Sequence, residues 1–361
     1  MGLSEPTLLP SCSDRPDGSS DSFFFVVARV DDQPFIYSMN FKSTFIMLAA
    51  APLALAEYRP DAFAPIGVMG EHLHAKDQFM ASYRYMNMRM EQNFVGTGSV
   101  SDGSVLADFM VAPADMDMEM HMVGFMYAPT DKFTLMAMVN IVELSMNHHR
   151  RDGLEFKTKS SGIGDSSINA LLGLWEDNGG SLHAGLGILL PTAEVDEQDF
   201  IPGPGETRLP YPMQLGSGSW GIAPSLTFKQ HHGNWSFGAQ TSAKIFLDDN
   251  DEGYRLGNKF EFTTWAAAPI NEQFSVSIRS TFSGWGNING EDNDLLSLPV
   301  PTADPNLRGG SKLDLSLGLN FFESGTKTSA GLEIGKTIWQ DLDGPQLGSD
   351  YWITAGIRFS W

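Results

Sequence analysis

From Gln78 to the end, apolar and polar residues alternate in segments of ten to fourteen residues, each bounded by turn-forming residues. The segments lie near 78–90, 119–128, 132–143, 162–175, 182–191, 219–229, 234–246, 258–269, 272–285, 310–322, 327–338 and 350–361. A period of two is the side-chain period of a β-strand, so each segment predicts a strand with one apolar and one polar face. In the tenth, Leu313, Leu315, Leu317, Leu319 and Phe321 fall on one face and Lys312, Asp314, Ser316, Gly318 and Asn320 on the other. In the last, Ile353, Ala355, Ile357, Phe359 and Trp361 oppose Thr354, Gly356, Arg358 and Ser360.

A soluble sandwich alternates in the same way, and two observations argue against one here. Connections after the even-numbered segments are short (A-P-T-D-K, E-D-N-G-G-S, K-Q-H-H-G-N, P-I-N-E, E-S-G-T-K), whereas most of the others are long and polar. Short turns at one end and long loops at the other are the pattern of an outer-membrane barrel. The chain also ends T-A-G-I-R-F-S-W, with Thr354, Gly356, Phe359 and Trp361 filling the places of a C-terminal outer-membrane signal. The fold expected is all-β: a transmembrane antiparallel up-and-down β-barrel of about twelve strands, its polar face inward. The lipid of the outer membrane and the barrel assembly machinery are its expected partners.

The first 56 residues read differently. Met39 opens M-N-F-K-S-T-F-I-M-L-A-A-A-P-L-A-L-A, a secretory signal peptide over 39–56 with Ala54-Leu55-Ala56 as its cleavage site. Residues 1–38 are then expected to be a mis-called N-terminal extension, with 57–77 a periplasmic lead and 78–361 the barrel. The whole chain carries 23 basic and 44 acidic residues, a net charge of −21. Cleavage leaves 20 basic against 38 acidic residues, −18. Such a charge disfavours nucleic acid as a partner. Cleavage also removes the single cysteine, Cys12, so no disulfide is expected.

Methionine is the anomaly in composition. Of 18 methionines, 14 lie between Met69 and Met146, and the stretch from Met116 to Met126 reads M-D-M-E-M-H-M-V-G-F-M. Parity on the first three strands sends Phe79, Tyr83, Tyr85, Val123, Phe125, Leu135, Val139 and Ile141 outward. Met80, Met86, Met88, Met90, Met118, Met120, Met122, Met126, Met136 and Met138 then face the lumen. Thioethers are soft ligands suited to Cu(I) or Ag(I). A candidate soft-metal patch therefore comprises these residues from Met86 to Met138, with His121, His148 and His149 and with Asp115, Asp117 and Glu119 nearby. The same methionines also suit a flexible apolar lining for a hydrophobic solute, or plain lumen packing. Parity places His121 on the outward face, which admits it to such a site only near the strand end.

Other polar candidates carry less. His72 and His74 beside Met69 admit a periplasmic entry ligand set but lack the fixed spacing of strong sites, His183 reads as a lumen residue pairing with Asp165 or a neighbour, and His231 and His232 as a solvated turn. Inward-facing Arg84, Asp165, Lys244, Glu261, Arg279, Lys312, Asp314, Glu333 and Arg358 either line a watery channel or pair and plug it. The acidic runs Glu194–Asp199 and Asp248–Glu252 fall in extracellular loops. Catalysis is not expected: twelve-stranded outer-membrane phospholipases need a serine within reach of a histidine, and the chain has neither a His-x-Ser pair nor a G-x-S-x-G elbow.

Five stretches carry a family resemblance: A-P-I-G-V-M-G-E-H-L-H (64–74), V-L-A-D-F-M-V-A-P-A-D-M (105–116), L-P-Y-P-M-Q-L-G-S-G-S-W (209–220), V-P-T-A-D-P-N-L-R-G-G (300–310) and W-Q-D-L-D-G-P-Q-L (339–347). Together they resemble the outer-membrane barrels labelled "MetA-pathway of phenol degradation", often called simply transporters. The resemblance spans about Ala64 to Trp361. It implies transport of a small hydrophobic or aromatic solute and assigns no catalytic or ligand residue. Copper or silver handling through the methionine patch is the alternative reading.

Overall fold

The computed structural model describes residues 59–295 and 300–361. The expected signal peptide and N-terminal extension lie outside them. The described chain is a closed antiparallel barrel. Its strands are β1 (Phe79–Gly96), β2 (Val111–Thr130), β3 (Phe133–Arg150), β4 (Glu155–Ile163), β5 (Ser166–Asp177), β6 (Gly180–Leu190), β7 (Gly221–His232), β8 (Trp235–Phe246), β9 (Lys259–Pro269), β10 (Phe274–Trp285), β11 (Gly310–Glu323) and β12 (Thr328–Ser360). Apart from β4, which pairs only with β3, each pairs with neighbours on both sides in the sheet, β5 with β3 and β6, and β12 returns to β1 to close it.

Two of these elements need care in counting. β4 and β5 are the upper and lower parts of one stave, because β4 pairs with Ile141–His149 of β3 and β5 with Phe133–Met138. β12 is a hairpin: its first leg runs from Thr328 opposite Glu323 to Leu342 opposite Gly310. Its second leg returns from Leu342 opposite Gly96 to Ser360 opposite Met80. Merging β4 with β5 and splitting β12 gives twelve staves, in agreement with the alternation.

The apolar faces point away from the lumen. Phe125, Ile141, Ile168, Leu186, Ile278, Leu317 and Ile334 are all exposed on the barrel's outside, Leu317 by 66 %. A belt of this kind is stable only against hydrocarbon, and closure leaves no strand edge unpaired there. Aromatic rings mark its lower rim: Phe79 stacks between Tyr127 (4.5 Å) and Trp361 (6.1 Å) across the closing seam. The turns at 131–132, 178–179, 233–234, 270–273 and 324–327 lie at this end, together with the Phe79–Trp361 backbone pairing. At the other end the connection between β3 and β4, expected to be long, is the tight turn 151–154 because both strands run on above the belt.

The first three staves run well beyond the belt, and β2 begins at Val111 rather than near 119. Above the belt their outward positions become charged: Asn87 opposes Glu119, and Arg89 opposes Asp117, with an Arg89 Nη1–Asp117 Oδ2 distance of 2.6 Å. The sequence alternation M-D-M-E-M is therefore a strand whose outside is in water, and no turn residue marks where it leaves the membrane.

The main departure is the N-terminal lead. Residues expected in the periplasm run inside the barrel as a plug across the short-turn half. Asp61, Ala64, Ile66, Val68, Glu71 and His74 are buried there. The lead alternates small and apolar residues with the groups that a polar lumen wall can bond. It therefore crosses the lumen tied to the wall at several backbone points, among them the Gly67 and His74 amides and the Pro60, Asp61, Ala62 and Met69 carbonyls.

Candidate functional site

The plug is held from several sides. Ser236 Oγ donates to the Asp61 carbonyl, Ser275 Oγ to Pro60 (2.8 Å), Gln240 Nε2 to Met69 (2.9 Å) and Lys229 Nζ to Ala62 (2.8 Å). On the opposite wall the His74 amide donates to Thr134 Oγ1 (3.1 Å). Gly67 passes so close to the wall that a Cβ would lie 2.5 Å from Arg279 Nη2 and 2.7 Å from Glu333 Oε2. A Cβ there would push the ends of the Arg279–Glu333 pair aside; without one, the Gly67 amide donates to Glu333 Oε2 at 2.8 Å.

Glu71 is the electrostatic centre. Lys229 Nζ approaches its Oε2 at 3.0 Å, and Arg358 Nη1 and His72 Nδ1 approach Oε1 at 3.0 and 2.8 Å. Burial alone pushes this carboxyl up. His72, Lys229 and Arg358 together outweigh burial and hold it well below the usual carboxylate range. A second buried pair, Arg279 Nε to Glu333 Oε1 at 2.7 Å, supports Gly67. Of the inward charges, Glu261, Arg279, Lys312, Asp314, Glu333 and Arg358 are ion-paired, Arg358 to the plug, whereas Arg84 and Lys244 have no ion-pair partner among the described residues.

Burial acts on the plug histidines in the opposite sense. It pushes His74 down to about 3 and lowers His72 as well. At neutral pH His74 is therefore uncharged when docked, whereas a free imidazole of its ordinary value, 6.5, takes up a proton as pH falls, so a released plug binds more protons. Docking is therefore undiminished above about pH 6.5 and weakens as pH falls from 6.5 toward 3. At pH 5, His74 alone removes ~2 kcal/mol of docking free energy, 1.5 units at about 1.36 kcal/mol each. Bilayer currents through the barrel are expected to rise between pH 7 and pH 5, and less so in His74→Gln. Identical currents at the two pH values, or an unaltered rise in the variant, count against this account.

Strand pairing divides the methionines into two tiers. In the lower tier Met80, Met126 and Met136 lie directly opposite one another across β1, β2 and β3, packed with Leu73 of the plug. With Met138, Ser82, Arg84 and His72 they line a cavity of about 20 Å³, room for one water-sized particle. Met122 stands opposite Arg84, and Arg84 Nη1 contacts the Met69 sulfur. In the upper tier Met86 opposes Met120, Met88 opposes Met118, and Met90 opposes Met116, which in turn opposes Met146.

The histidines do not join these tiers as a set. His121 faces outward, its Nδ1 2.7 Å from Tyr83 Oη and its ring beside Tyr85. His149 also faces outward, at 2.7 Å from Asp102 Oδ2 and 3.7 Å from Glu155 Oε1. His148 faces inward one step above Met146, where its Nε2 meets Thr158 Oγ1 (2.9 Å) and its ring stacks on Phe156. Asp115 and Asp117 pair with Arg89 outside, and Glu119 accepts from Tyr85 Oη. Among the described residues no three His, Cys, Asp or Glu side chains gather as a metal site.

Two expectations are corrected. His183 does not pair with Asp165; its Nε2 meets the Gly70 carbonyl of the plug at 2.9 Å. Asp165 instead pins the loop between β6 and β7, accepting from the Ser217 amide and hydroxyl at 2.6 Å each. His72, His74 and Met69 do not form an entry site, because Glu71 and Arg84 engage His72 and Met69 inside the lumen.

The pinned loop brings in residues that sequence reasoning left out. Leu209, Met213 and Leu215 fold onto Met116, Val142, Leu144 and Met146, bordered by Met90, Met118 and Met120. Neighbouring loops close over it through Val195, Tyr211, Tyr254, Ile288 and Leu295. Arg208 bridges Glu252 (3.0 Å) and Asp294 (3.3 Å). Met116 and Met146 follow from parity, whereas nothing local in the sequence attaches Met213 to them.

A closed sheet with an apolar belt, aromatic rim and filled polar lumen is an outer-membrane β-barrel, the architecture of the bacterial outer membrane. Residues 101–294 match the family described as "Putative MetA-pathway of phenol degradation", and the chain belongs to that family. It shares its fold with the COG4313 outer membrane channel from Pseudomonas putida F1, at a TM-score of 0.59 and 14 % identity over 82 % of this chain and 100 % of that one. The NanC porin (TM-score 0.39, 9 % identity, 77 % and 98 % covered) and a Pseudomonas aeruginosa FadL homologue (0.37, 11 %, 84 % and 93 %) are more distant. Comparison with curated protein sequences found no match.

Proposed function

We propose that the protein is an outer-membrane channel for a small hydrophobic or aromatic solute, closed at rest by its own N-terminal segment. The observation that carries this reading is the lumen itself. One wall, over β1–β3, carries thioethers in two tiers that Ser82 and Arg84 separate, while the plug meets the remaining wall through hydrogen bonds and ion pairs. Methionine is flexible and polarizable and makes favourable contacts with aromatic rings, so such a wall accommodates apolar solutes of varied shape. A plug held by noncovalent contacts can leave, and that is what a gated channel requires. Family membership and the fold shared with an outer membrane channel support the same reading.

Liposomes carrying the barrel, with lipopolysaccharide in the outer leaflet to slow passive entry, are expected to take up phenol faster than empty ones. Glucose uptake is expected to differ little between the two. Equal phenol rates with and without protein would remove the solute reading.

A further inference from the structure

We propose that the upper methionine tier is a binding site for a soft monovalent cation, Cu(I) or its surrogate Ag(I), formed by Met90, Met116, Met146 and Met213. Met116 stands at the centre of the first three, directly opposite Met90 on one side and Met146 on the other. Directly opposed residues on one face carry Cβ atoms about 4.5–5.5 Å apart, within reach of a shared ion for side chains this long. Met213 closes the group from the loop that Asp165 pins, fully buried in the same cluster.

The distribution of methionine along the chain argues against simple filling. From residue 147 to the end, the chain fills its apolar positions with leucine, isoleucine, valine and phenylalanine and uses methionine once, at Met213. That one residue folds onto the rung built from the methionine-rich segment. Its loop neighbours in the same cluster, Leu209 and Leu215, are leucines. If packing alone set the choice, methionine would have no reason to return only where other thioethers wait.

Charge separates this tier from the lower one. The lower cavity includes Arg84, and Lys229 and Arg358 stand at Glu71 beside it, so cationic groups outnumber carboxylates around a cation bound there. The upper tier packs among the apolar side chains of Val142, Leu144, Leu209 and Leu215 and lies under a loop carrying Glu194, Asp196 and Glu197. Glu194 and Asp196 help burial raise the Glu197 carboxyl, a sign of crowded negative charge that draws cations to the mouth. Thioethers are neutral, soft and need no deprotonation, so they select Cu(I) over hard cations and do so independently of pH.

The test uses the mature protein in detergent under anaerobic conditions, titrated with Cu(I) against a chromophoric Cu(I) chelator and, separately, with Ag(I) by calorimetry. We expect about one tight equivalent, unchanged between pH 6 and 8, with sulfur-only X-ray absorption scattering. Met116→Leu and Met213→Leu should each weaken binding tenfold or more, and Met136→Leu, in the lower tier, should leave it unchanged. Leucine conserves volume at these positions, and heat-dependent gel mobility verifies that each variant is a folded barrel. Absent binding, nitrogen-dominated scattering, or affinity that survives the Met116→Leu/Met213→Leu pair in a folded barrel each overturns the site.

Discussion

Replacing Glu71 with glutamine is expected to release the plug and turn a closed barrel into a conducting one. The carboxylate is almost wholly buried and faces Lys229 and Arg358 at 3.0 Å each, so the substitution strands two cations without a counter-charge. Removing one partner of a buried ion pair costs about 3–5 kcal/mol. That shifts the docked-to-released ratio by roughly two to three and a half orders of magnitude, at 1.4 kcal/mol per decade. The β-barrel belt and strand ladder do not involve Glu71, so the barrel itself should still form. Single-channel recordings in planar bilayers measure the outcome: frequent long openings in Glu71→Gln against rare ones in the parent. Partial reclosure in Glu71→Gln/Lys229→Met would show that the stranded charge drives release, because the second change removes one orphaned cation. Glu71→Gln barrels that stay as closed as the parent would refute the plug's electrostatic hold.

Placing arginine at Leu317 is expected to destabilise the barrel by about 2–4 kcal/mol in lipid, the cost of a charged side chain near the bilayer midplane. Leu317 sits midway along β11, 66 % exposed, between Ile278 on β10 and Ile334 on β12. In water an exposed leucine-to-arginine change would be nearly neutral, so the size of the effect reports directly on the solvent that this face meets. Reversible urea unfolding into lipid vesicles, with Leu317→Ala as the reference, gives the difference. A value within about half a kcal/mol of zero, the range of neutral surface changes, would mean that the belt does not face hydrocarbon.

How much of this was legible beforehand depends on the distance over which each feature is encoded. Strand positions, the outward belt and the inward methionines follow from a period of two, which every residue reports through its immediate neighbours. Turn residues mark each short connection, and the first and last staves meet as the C-terminal pattern implied. The upper ends of β1–β3 were less legible, because a strand leaving the membrane only exchanges apolar outward residues for Arg89, Asp117 and Glu119 while keeping its alternation.

The amino-acid sequence by itself determined the class of the protein: a closed barrel of twelve staves, with its lumen wall of thioethers on three consecutive strands. Only the tertiary structure decided what occupies that lumen. Glu71 meets Arg358 across 287 positions of chain, and Gly67 meets Glu333 across 266. Met213 joins Met116 in one cluster from a loop that Ser160 and Asp165 hold over the mouth. These contacts depend on which residues closure carries to the same height in the lumen, a property of the finished barrel that no local pattern of the chain records.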